Sequence, residues 1–314
     1  MNTRKTMRKK ITIIGAGNVG ASTAQLIAKE GLSDVVLYDI ADGIPQGKAL
    51  DISEACPLWS SAVSVRGTNR YADTKDSDIV VITAGFPRKP NMSRDDLLHA
   101  NADVIKNASV AIAETSPNAI IIVVTNPMDA MAQLAWKTTE FSCRRVMGMG
   151  GILDASRLRA FLAWELNVSP EDTEAMLLGG HGDQMVPLPR FTTVKGIPIT
   201  EIMKKKAIDA LIHRTRNGGA EIVHLLKSGS AYYAPAAATF QMIRSILYDE
   251  KRMLPCAAYL NGEYGVKDLY VGVPVILGKE GVEKVVEIKL TKEEKAQFRE
   301  SCASVRKLIK KLSI

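Results

Sequence analysis

The sequence predicts an α/β fold in which a doubly wound parallel sheet is followed by an α+β half. Three observations predict it. In the first half of the chain, short and almost wholly apolar runs alternate with helix-forming segments; a glycine-rich turn joins the first run to the first helix; and the alternation ends near residue 150. Apolar strands of this kind are typical of parallel sheets that helices cover on both faces.

Length and composition favour two folded parts. A chain of 314 residues exceeds the usual size of one domain, and its 46% hydrophobic and 24% charged residues are typical of a globular protein. We expect a basic flexible tail over residues 1–10, a nucleotide-binding domain over 11–150 and an α+β substrate-binding and catalytic domain over 151–314. The division is placed just before Asp154, where a new amphipathic helix opens.

The net charge of +7 comes mainly from the tail. Five cations and no acid stand in the first ten residues, and the rest of the chain carries 36 basic and 34 acidic residues. Aromatic residues make up only 5% of the chain, which disfavours a surface for single-stranded nucleic acid. A nucleic-acid role therefore stays open for the tail alone, and we expect no nucleic-acid partner for the folded body.

Membrane segments, metal sites and disulfides are not expected. No apolar run reaches the roughly 18 residues that span a bilayer, and the tail lacks the apolar core of a secretory signal. The four cysteines stand far apart, without a C-x-x-C pair or metal-ligand spacing to the histidines. The sequence predicts a cytoplasmic protein with reduced thiols.

The first apolar run, Ile11–Ile14, leads directly into a glycine-rich turn and then a helix. The turn is Gly15-Ala16-Gly17-Asn18-Val19-Gly20. Its glycines permit a tight bend, and its N–H groups can approach a pyrophosphate at the positive end of the helix. We expect this whole segment to bind a dinucleotide.

Asp39 ends the second apolar run, nineteen residues after Gly20. An acid at this point can accept hydrogen bonds from an adenosine ribose and would repel a 2′-phosphate, so NAD is favoured over NADP. Later strands end at Thr83-Ala84-Gly85 and at Thr125-Asn126. Because ligands collect at the carboxyl ends of parallel strands, both segments are expected to lie beside the cofactor.

The remaining elements are predicted from periodicity and turn signals. In the first half we expect helices over 47–55, over 95–115 and after Pro127, and strands over 63–66, 79–83 and 119–124. In the second half we expect a helix to about residue 166, a strand before Gly179, a hairpin around 192–197, long helices over 199–226 and 232–248, and strands between 255 and 277. A capping box at Thr291 opens a last helix that reaches Lys311.

His181 stands between glycines at the point where the apolar run from Leu177 stops. We interpret it as the catalytic acid/base, because an imidazole with an ordinary pKa of about 6.5 exchanges a proton near neutrality. A hydrogen-bonded loop histidine is the alternative.

Cations for an anionic substrate stand in two places. Residues 86–94 hold three cations and two prolines, and we expect a lid in which Arg88 and Arg94 grip carboxylates while Lys89 is solvated. Asp154 and Arg157 are three residues apart and share one helix face. That spacing fits either a surface ion pair or a place in the site.

Together these segments resemble the malate dehydrogenases of the lactate-dehydrogenase-like type. The resemblance covers nearly the whole chain in the family's order, through residues 15–20, 39, 87–90, 125–127, 153–157 and 180–183. It implies a Rossmann domain, NAD-dependent interconversion of (S)-malate and oxaloacetate, a homodimer or homotetramer, and a role in the citric acid cycle.

The resemblance also implies roles for individual residues. His181 would take the hydroxyl proton of malate as hydride leaves C2, and Asp154 would orient that histidine. Arg157 would hold the C1 carboxylate in a bidentate fork. Arg94 would polarise the reacting oxygen, and Asn126 would hydrogen-bond the substrate.

Asn101 and the segment Val124–Asn126 would contact NAD, and Arg88 would decide the substrate. The lactate enzymes hold a neutral glutamine in its place, whereas a cation can pair with the second carboxylate of oxaloacetate. A buried carboxylate without that partner costs on the order of several kcal/mol. Two positions depart from the family pattern: Asn91 stands where glycine is usual, and Gly150 stands where alanine is common.

Two other functions stay open. A lactate or other 2-hydroxyacid dehydrogenase would share most of these motifs, and Arg88 argues against it. A nucleotide-binding regulator without catalysis would share the fold, since fold does not imply function. The joint presence of His181, Asp154, Arg94 and Arg157 argues against that regulator.

Overall fold

A computed structural model describes residues 8–86 and 94–312, with Arg94 described by its backbone alone. One large mixed sheet runs through these residues, and helices cover both of its faces. The first part of the chain contributes, in order, β1 (Lys10–Ile14), α1 (Asn18–Lys29), β2 (Asp34–Tyr38), α2 (Ile44–Ala55), β3 (Val65–Thr68), β4 (Ile79–Ile82), α3 (Arg94–Thr115), β5 (Ile120–Val123), α4 (Met128–Thr139) and β6 (Val146–Gly148).

These six strands are parallel and lie in the order β3-β2-β1-β4-β5-β6. The strands β4 and β5 contain only isoleucine and valine, and every one of their residues is buried. Right-handed crossovers then place α1 and α2 on one face and α3 and α4 on the other. The strand order reverses between β1 and β4, so the predicted doubly wound sheet is confirmed and its ligand crevice lies there.

The second part of the chain is mixed, as predicted. Its elements are α5 (Gly151–Leu166), β7 (Thr173–Glu174), β8 (Leu177–Gly179), β9 (Met185–Pro187), β10 (Thr193–Val194), β11 (Ile197–Pro198), α6 (Ile199–Ile202), α7 (Lys205–Leu226), α8 (Tyr233–Leu247), β12 (Arg252–Asn261), β13 (Lys267–Gly278), β14 (Gly281–Val285) and α9 (Lys292–Lys311).

The two parts share one sheet. Gly148 of β6 pairs with Ala257 of β12, and antiparallel pairing continues through β13 to β8 and β9. The loop that carries His181 follows β8, so this continuity fixes where the second part presents that loop. The division of the chain at residue 150 stays a prediction.

Most predicted elements are found, with three kinds of difference. The helix expected over 199–226 is broken, because Met203 is extended with φ −128° and ψ 145°. Because of this break, Ile199 of α6 and Ile208 of α7 both pack into one apolar cluster. The strand expected at residue 63 begins at Val65, and the short strands β6, β7, β9 and β14 were not predicted.

The folded chain includes the end of the predicted tail. Lys10 belongs to β1, and Lys9 forms an ion pair of 2.7 Å with Asp78. Residues 1–7 of the predicted tail lie outside the described residues. All four cysteines are free, and three of them are buried. Within 8–86 and 94–312, no helix combines the length and the apolar character needed to cross a membrane.

The last helix begins at the predicted capping box. The Thr291 hydroxyl accepts the Glu294 N–H at 3.2 Å, and the Glu294 carboxylate accepts the Thr291 N–H at 2.9 Å. The same carboxylate forms two bonds to Arg190, which hold the pKa of Glu294 below its usual value. The start of α9 is thereby tied to the segment that follows the His181 loop.

We expect Thr291→Ala to destabilise the protein by about 1 kcal/mol, because the first-turn N–H group of Glu294 loses its partner. Urea unfolding followed by circular dichroism measures this as a lower midpoint. Thr291→Ser keeps the hydroxyl and should remain close to the wild type. An equal loss in both variants would contradict the capping assignment.

Candidate active site

The glycine-rich turn forms an open cradle at the carboxyl end of β1. Gly15 has a φ of +108°, and a Cβ on Gly20 would lie 1.9 Å from the Gly15 oxygen. Gly17 stands at the N-terminus of α1 with no side-chain cap, and a Cβ on it would meet nothing within 4 Å. The open space at Gly17 and the uncapped N–H groups of α1 fit the pyrophosphate of a dinucleotide.

Asp39 is part of this cradle. Its carboxylate accepts the Ala16 N–H at 2.7 Å and the Ala41 N–H at 3.0 Å. The side chain is half-buried, and a carboxylate has about four acceptor positions, so it can still accept ribose hydroxyls. Lys48 donates to the Ala16 oxygen at 2.7 Å. Sequence reasoning missed Lys48, because it lies 32 residues away on α2 with no local motif around it.

Two threonines and one asparagine join the strand ends around the crevice. Thr83 donates to the Gly15 oxygen at 3.0 Å, and Thr125 donates to the Ala84 oxygen at 2.7 Å. Asn101 is buried, accepts the Phe86 N–H at 2.7 Å and donates to the Asn126 oxygen at 2.7 Å. The structure therefore brings the ends of β1, β4 and β5 together.

All of the predicted cofactor contacts stay predictions. They include the turn Gly15–Gly20, Asp39, the segments Thr83–Gly85 and Val124–Asn126, and the Asn101 side chain, whose amide is occupied by backbone bonds. The Asn126 side chain is exposed at the mouth of the crevice, beside the end of β5.

His181 and Asp154 meet beside the start of α4, the helix that follows β5. The imidazole Nδ1 lies 2.8 Å from Oδ2 of Asp154. The Asp154 side chain is 1% exposed, whereas 15% of His181 remains exposed. The Asp154 carboxylate therefore occupies one ring nitrogen, and the other ring nitrogen has no hydrogen-bond partner among the described residues. The bond to a buried acid is what an acid/base histidine requires, and the catalytic role of His181 stays a prediction.

Arg157 shares the same carboxylate. Its guanidinium lies 3.4 Å from Oδ1 of Asp154, and the side chain is 13% exposed, so the pair is not a surface ion pair. Burial lowers the pKa of Arg157, and the charge of Asp154 opposes that change. The Arg157 Nε has no hydrogen-bond partner among the described residues. An unused donor on a buried cation is suited to an anionic ligand.

The charges around His181 favour its protonated form. Burial lowers the pKa of the imidazole, but the charge and hydrogen bond of Asp154 and the charge of Asp129 raise it more, despite the opposing charge of Arg157. The net result is a pKa above the ordinary 6.5. The shift enlarges the fraction of protonated imidazole, which is the form that donates a proton to a bound oxygen.

Two supporting residues were missed from the sequence. Asp129, the second residue of α4, accepts the His181 N–H at 2.9 Å. Ser301 of α9 accepts the Gly180 N–H at 2.8 Å and donates to the Gln184 oxygen at 2.7 Å. Each lies at least 52 residues from the loop it holds, so no local pattern could have identified it.

Gly150, which departs from the family pattern, faces a tightly packed space. A Cβ there would lie 2.3 Å from the Met128 Cε and 3.0 Å from the His181 Cβ. Alanine would fit only if Met128 moved away from β6. The Met128 side chain therefore accounts for glycine at position 150, because it occupies the space that a Cβ would need beside His181.

Most of the predicted lid lies outside the described residues. Arg88, Lys89 and Asn91 lie outside the described residues, and the Arg94 side chain is not described. Among the remaining described residues, no group of three or more His, Cys, Asp and Glu side chains is arranged to hold a metal ion.

Substitutions at Gly17 and Gly20 separate cofactor binding from folding. Gly17→Ala should fold normally and bind NADH at least about tenfold more weakly, because its methyl group enters open space meant for phosphate. Gly20→Ala should instead destabilise the protein by about 1–3 kcal/mol through the clash with Gly15. NADH fluorescence titration and thermal unfolding measure the two effects. Normal NADH affinity in Gly17→Ala would contradict the cradle.

Two family profiles match almost the entire chain. Residues 9–148 match the NAD binding domain of lactate/malate dehydrogenase, and residues 152–313 match the alpha/beta C-terminal domain of lactate/malate dehydrogenase.

Individual relatives agree over the same length. A malate dehydrogenase of Roseiflexus castenholzii is 56% identical over 299 residues, which cover 95% of this chain and 97% of the relative. The structure of malate dehydrogenase from Salinibacter ruber matches with a TM-score of 0.93 and 48% identity over 97% of each chain. A lactate dehydrogenase from Cryptosporidium parvum, complexed with lactic acid and nicotinamide adenine dinucleotide, matches with a TM-score of 0.94 and 41% identity over 98% of each chain. This chain therefore belongs to the lactate/malate dehydrogenase family, and its first part is the NAD-binding domain of that family.

Proposed function

We propose that the protein is an NAD-dependent malate dehydrogenase that interconverts (S)-malate and oxaloacetate. The observation that carries the proposal is the buried carboxylate of Asp154, which lies 2.8 Å from His181 and 3.4 Å from Arg157. A proton donor and a carboxylate-binding cation are thereby held side by side at the edge of an NAD-binding crevice. Relatives at 55–56% identity carry the name malate dehydrogenase.

His181 performs the proton transfer in this proposal. In the direction of reduction, the protonated imidazole donates to the carbonyl oxygen of oxaloacetate, and Asp154 stabilises the charge on the ring before the proton leaves. In the direction of oxidation, the neutral imidazole takes the hydroxyl proton of malate. NAD, when bound, supplies or accepts the hydride at C2 of the substrate.

Arg157 holds the C1 carboxylate of the substrate. Its Nε has no hydrogen-bond partner within the described part of the chain, and Asp154 holds the guanidinium through Nη1. A fork held in this way needs little reorganisation to form two parallel hydrogen bonds. The carboxylate would then replace the water that burial has removed from the cation.

Arg88 and Arg94 complete the site. We assign Arg94 to the reacting oxygen, Arg88 to the second carboxylate of the dicarboxylate, and Asn126 to a hydrogen bond with the substrate. The assignments of Arg88 and Asn126 rest on the match of Pro87-Arg88-Lys89-Pro90 and Thr125-Asn126-Pro127 to the family pattern, and that of Arg94 rests on the family resemblance as a whole. The lactate dehydrogenase of Cryptosporidium parvum has nearly the same fold, so the fold alone does not choose between malate and lactate.

The proposed cofactor contacts lie in the glycine-rich turn and at the neighbouring strand ends. We assign the pyrophosphate to Gly15–Gly20, the adenosine ribose to Asp39, and the remaining contacts to Thr83–Gly85, Asn101 and Val124–Asn126. The half-buried carboxylate of Asp39 supports NAD over NADP, because its charge repels a 2′-phosphate.

We further propose a cytoplasmic homo-oligomer with a role in the citric acid cycle. Four free cysteines suit a reducing compartment. Several large apolar side chains are exposed, among them Leu58, 86% exposed after α2, and Tyr233, 73% exposed at the start of α8. Trp59 and Tyr233 line one depression, which supports burial of this surface against a second copy.

The substrate assignment is tested by comparing oxaloacetate with pyruvate in the presence of NADH. We expect kcat/KM for oxaloacetate to exceed that for pyruvate at least about a hundredfold, because pyruvate leaves Arg88 without a partner. In Arg88→Gln the ratio should fall at least about tenfold.

Lys89→Gln serves as the matched control, since it removes a neighbouring cation that we expect to be solvated. Its substrate ratio should stay at the wild-type value. An equal or greater kcat/KM for pyruvate in the wild type would overturn the assignment to malate and favour a lactate or other 2-hydroxyacid dehydrogenase.

A further inference from the structure

Asp129 is a buried acid in contact with the catalytic loop that the proposed chemistry does not use. It stands in the first turn of α4 and is 6% exposed. Its Oδ2 accepts the backbone N–H of His181 at 2.9 Å, and its Oδ1 has no hydrogen-bond partner among the described residues. No lysine or arginine in the described part of the chain forms an ion pair with it.

A charged carboxylate in this buried position lowers the stability of the folded protein. Burial raises the pKa of Asp129 to about 6, although the His181 N–H bond and the His181 charge oppose that change. Near neutral pH the group is therefore charged, desolvated and only half-satisfied. A neutral amide could accept the same N–H without this cost, so the hydrogen bond alone does not explain an acid there.

The charge of Asp129 acts on the imidazole. It adds to the charge of Asp154 in raising the pKa of His181, against the effects of burial and of Arg157. His181 therefore lies between two buried acids, one bonded to its ring and one bonded to its backbone. The charge of Asp154 also raises the pKa of Asp129, and the charge of Asp129 in turn acts on the buried thiol of Cys302 on α9.

We propose that Asp129 is a positioning residue for His181: its carboxylate fixes the loop through the His181 N–H and supplies a second negative charge close to the imidazole. This inference rests on the proposed role of His181 as the acid/base. Its consequence is that the acid/base belongs to a unit of three groups, Asp154, His181 and Asp129, in which Asp129 adjusts the protonation of the ring without touching it.

Ser301 provides a matched control on the same loop. It bonds to the Gly180 N–H and the Gln184 oxygen, which flank His181, but it carries no charge. Ser301→Ala loosens the loop, whereas Asp129→Asn keeps an acceptor for the N–H and removes only the charge. A purely structural role would make the two variants behave alike.

The first readout is the titration of His181 by NMR in the free enzyme with isotope-labelled histidine. The chain has four histidines, and His181→Asn assigns the signal. We expect the midpoint of His181 to move to lower pH in Asp129→Asn and to stay at the wild-type value in Ser301→Ala. An unchanged midpoint in folded Asp129→Asn would overturn the proposal.

The second readout is the pH profile of kcat/KM for oxaloacetate, which requires protonated His181. Relative to the wild type, Asp129→Asn should lose about tenfold more activity near pH 9 than near pH 6, the effect of one neighbouring charge. Ser301→Ala should lose activity by the same factor across the range. Parallel profiles for wild type and Asp129→Asn would overturn the proposal.

If Asp129→Asn does not fold, the His181 titration of the wild-type protein tests the proposal instead. Its own His181 signal should show a second inflection near pH 6, where Asp129 gains a proton; a single inflection would overturn the proposal. Because the NMR titration needs no turnover, it remains informative even if neither oxaloacetate nor pyruvate is reduced. That absence of turnover would instead refute the proposed function.

Discussion

The contact between His181 and Asp154 is the interaction on which the rest of the site depends. The two residues are 27 positions apart and lie on different elements, one at the start of α5 and one after β8. Their 2.8 Å bond requires β6 to deliver α5 and the antiparallel strands β12 and β13 to deliver β8. The shared sheet thus sets the geometry of this pair, and a small shift of either part would separate the ring from its acid.

The His181 and Asp129 side chains make the stability of the folded protein depend on pH. His181 has a raised pKa in the folded protein, so its stabilising contribution is present below pH 6.5 and is lost as the pH rises through the folded-state value. Asp129 has a pKa raised from 3.8 to about 6, so stability falls as the pH rises between these two values. Both groups therefore favour folding at the acidic side, and they contribute least to stability above their folded-state pKa values, where Asp129 is charged and His181 is neutral.

Much of the fold and part of the candidate site could be predicted from local sequence. The buried strands β4 and β5, the glycine-rich turn and the capping box at Thr291 are specified by neighbours in the chain, and all were predicted. The break after α6 was not, because Met203 and Lys204 include neither glycine nor proline; the turn arises from tertiary packing of Ile199.

The residues that support the site through distant backbone contacts could not be predicted from local sequence. An acid such as Asp129 in the first turn of a helix ordinarily serves the helix dipole, and only the contact 52 residues away identifies its partner. Ser301 and Lys48 likewise contact backbone atoms far along the chain. Glycine motifs and paired side chains on one helix are visible in sequence, whereas side chains that hold a distant backbone are not.

The central claim is that His181 is the acid/base of an NAD-dependent dehydrogenase, and His181→Asn tests it most directly. NADH binding and oxaloacetate turnover should be measured on the same preparation of this variant. We expect NADH affinity within about threefold of the wild type and a loss of kcat of roughly two to four orders of magnitude, the usual contribution of a positioned acid/base. Retention of wild-type turnover would contradict it.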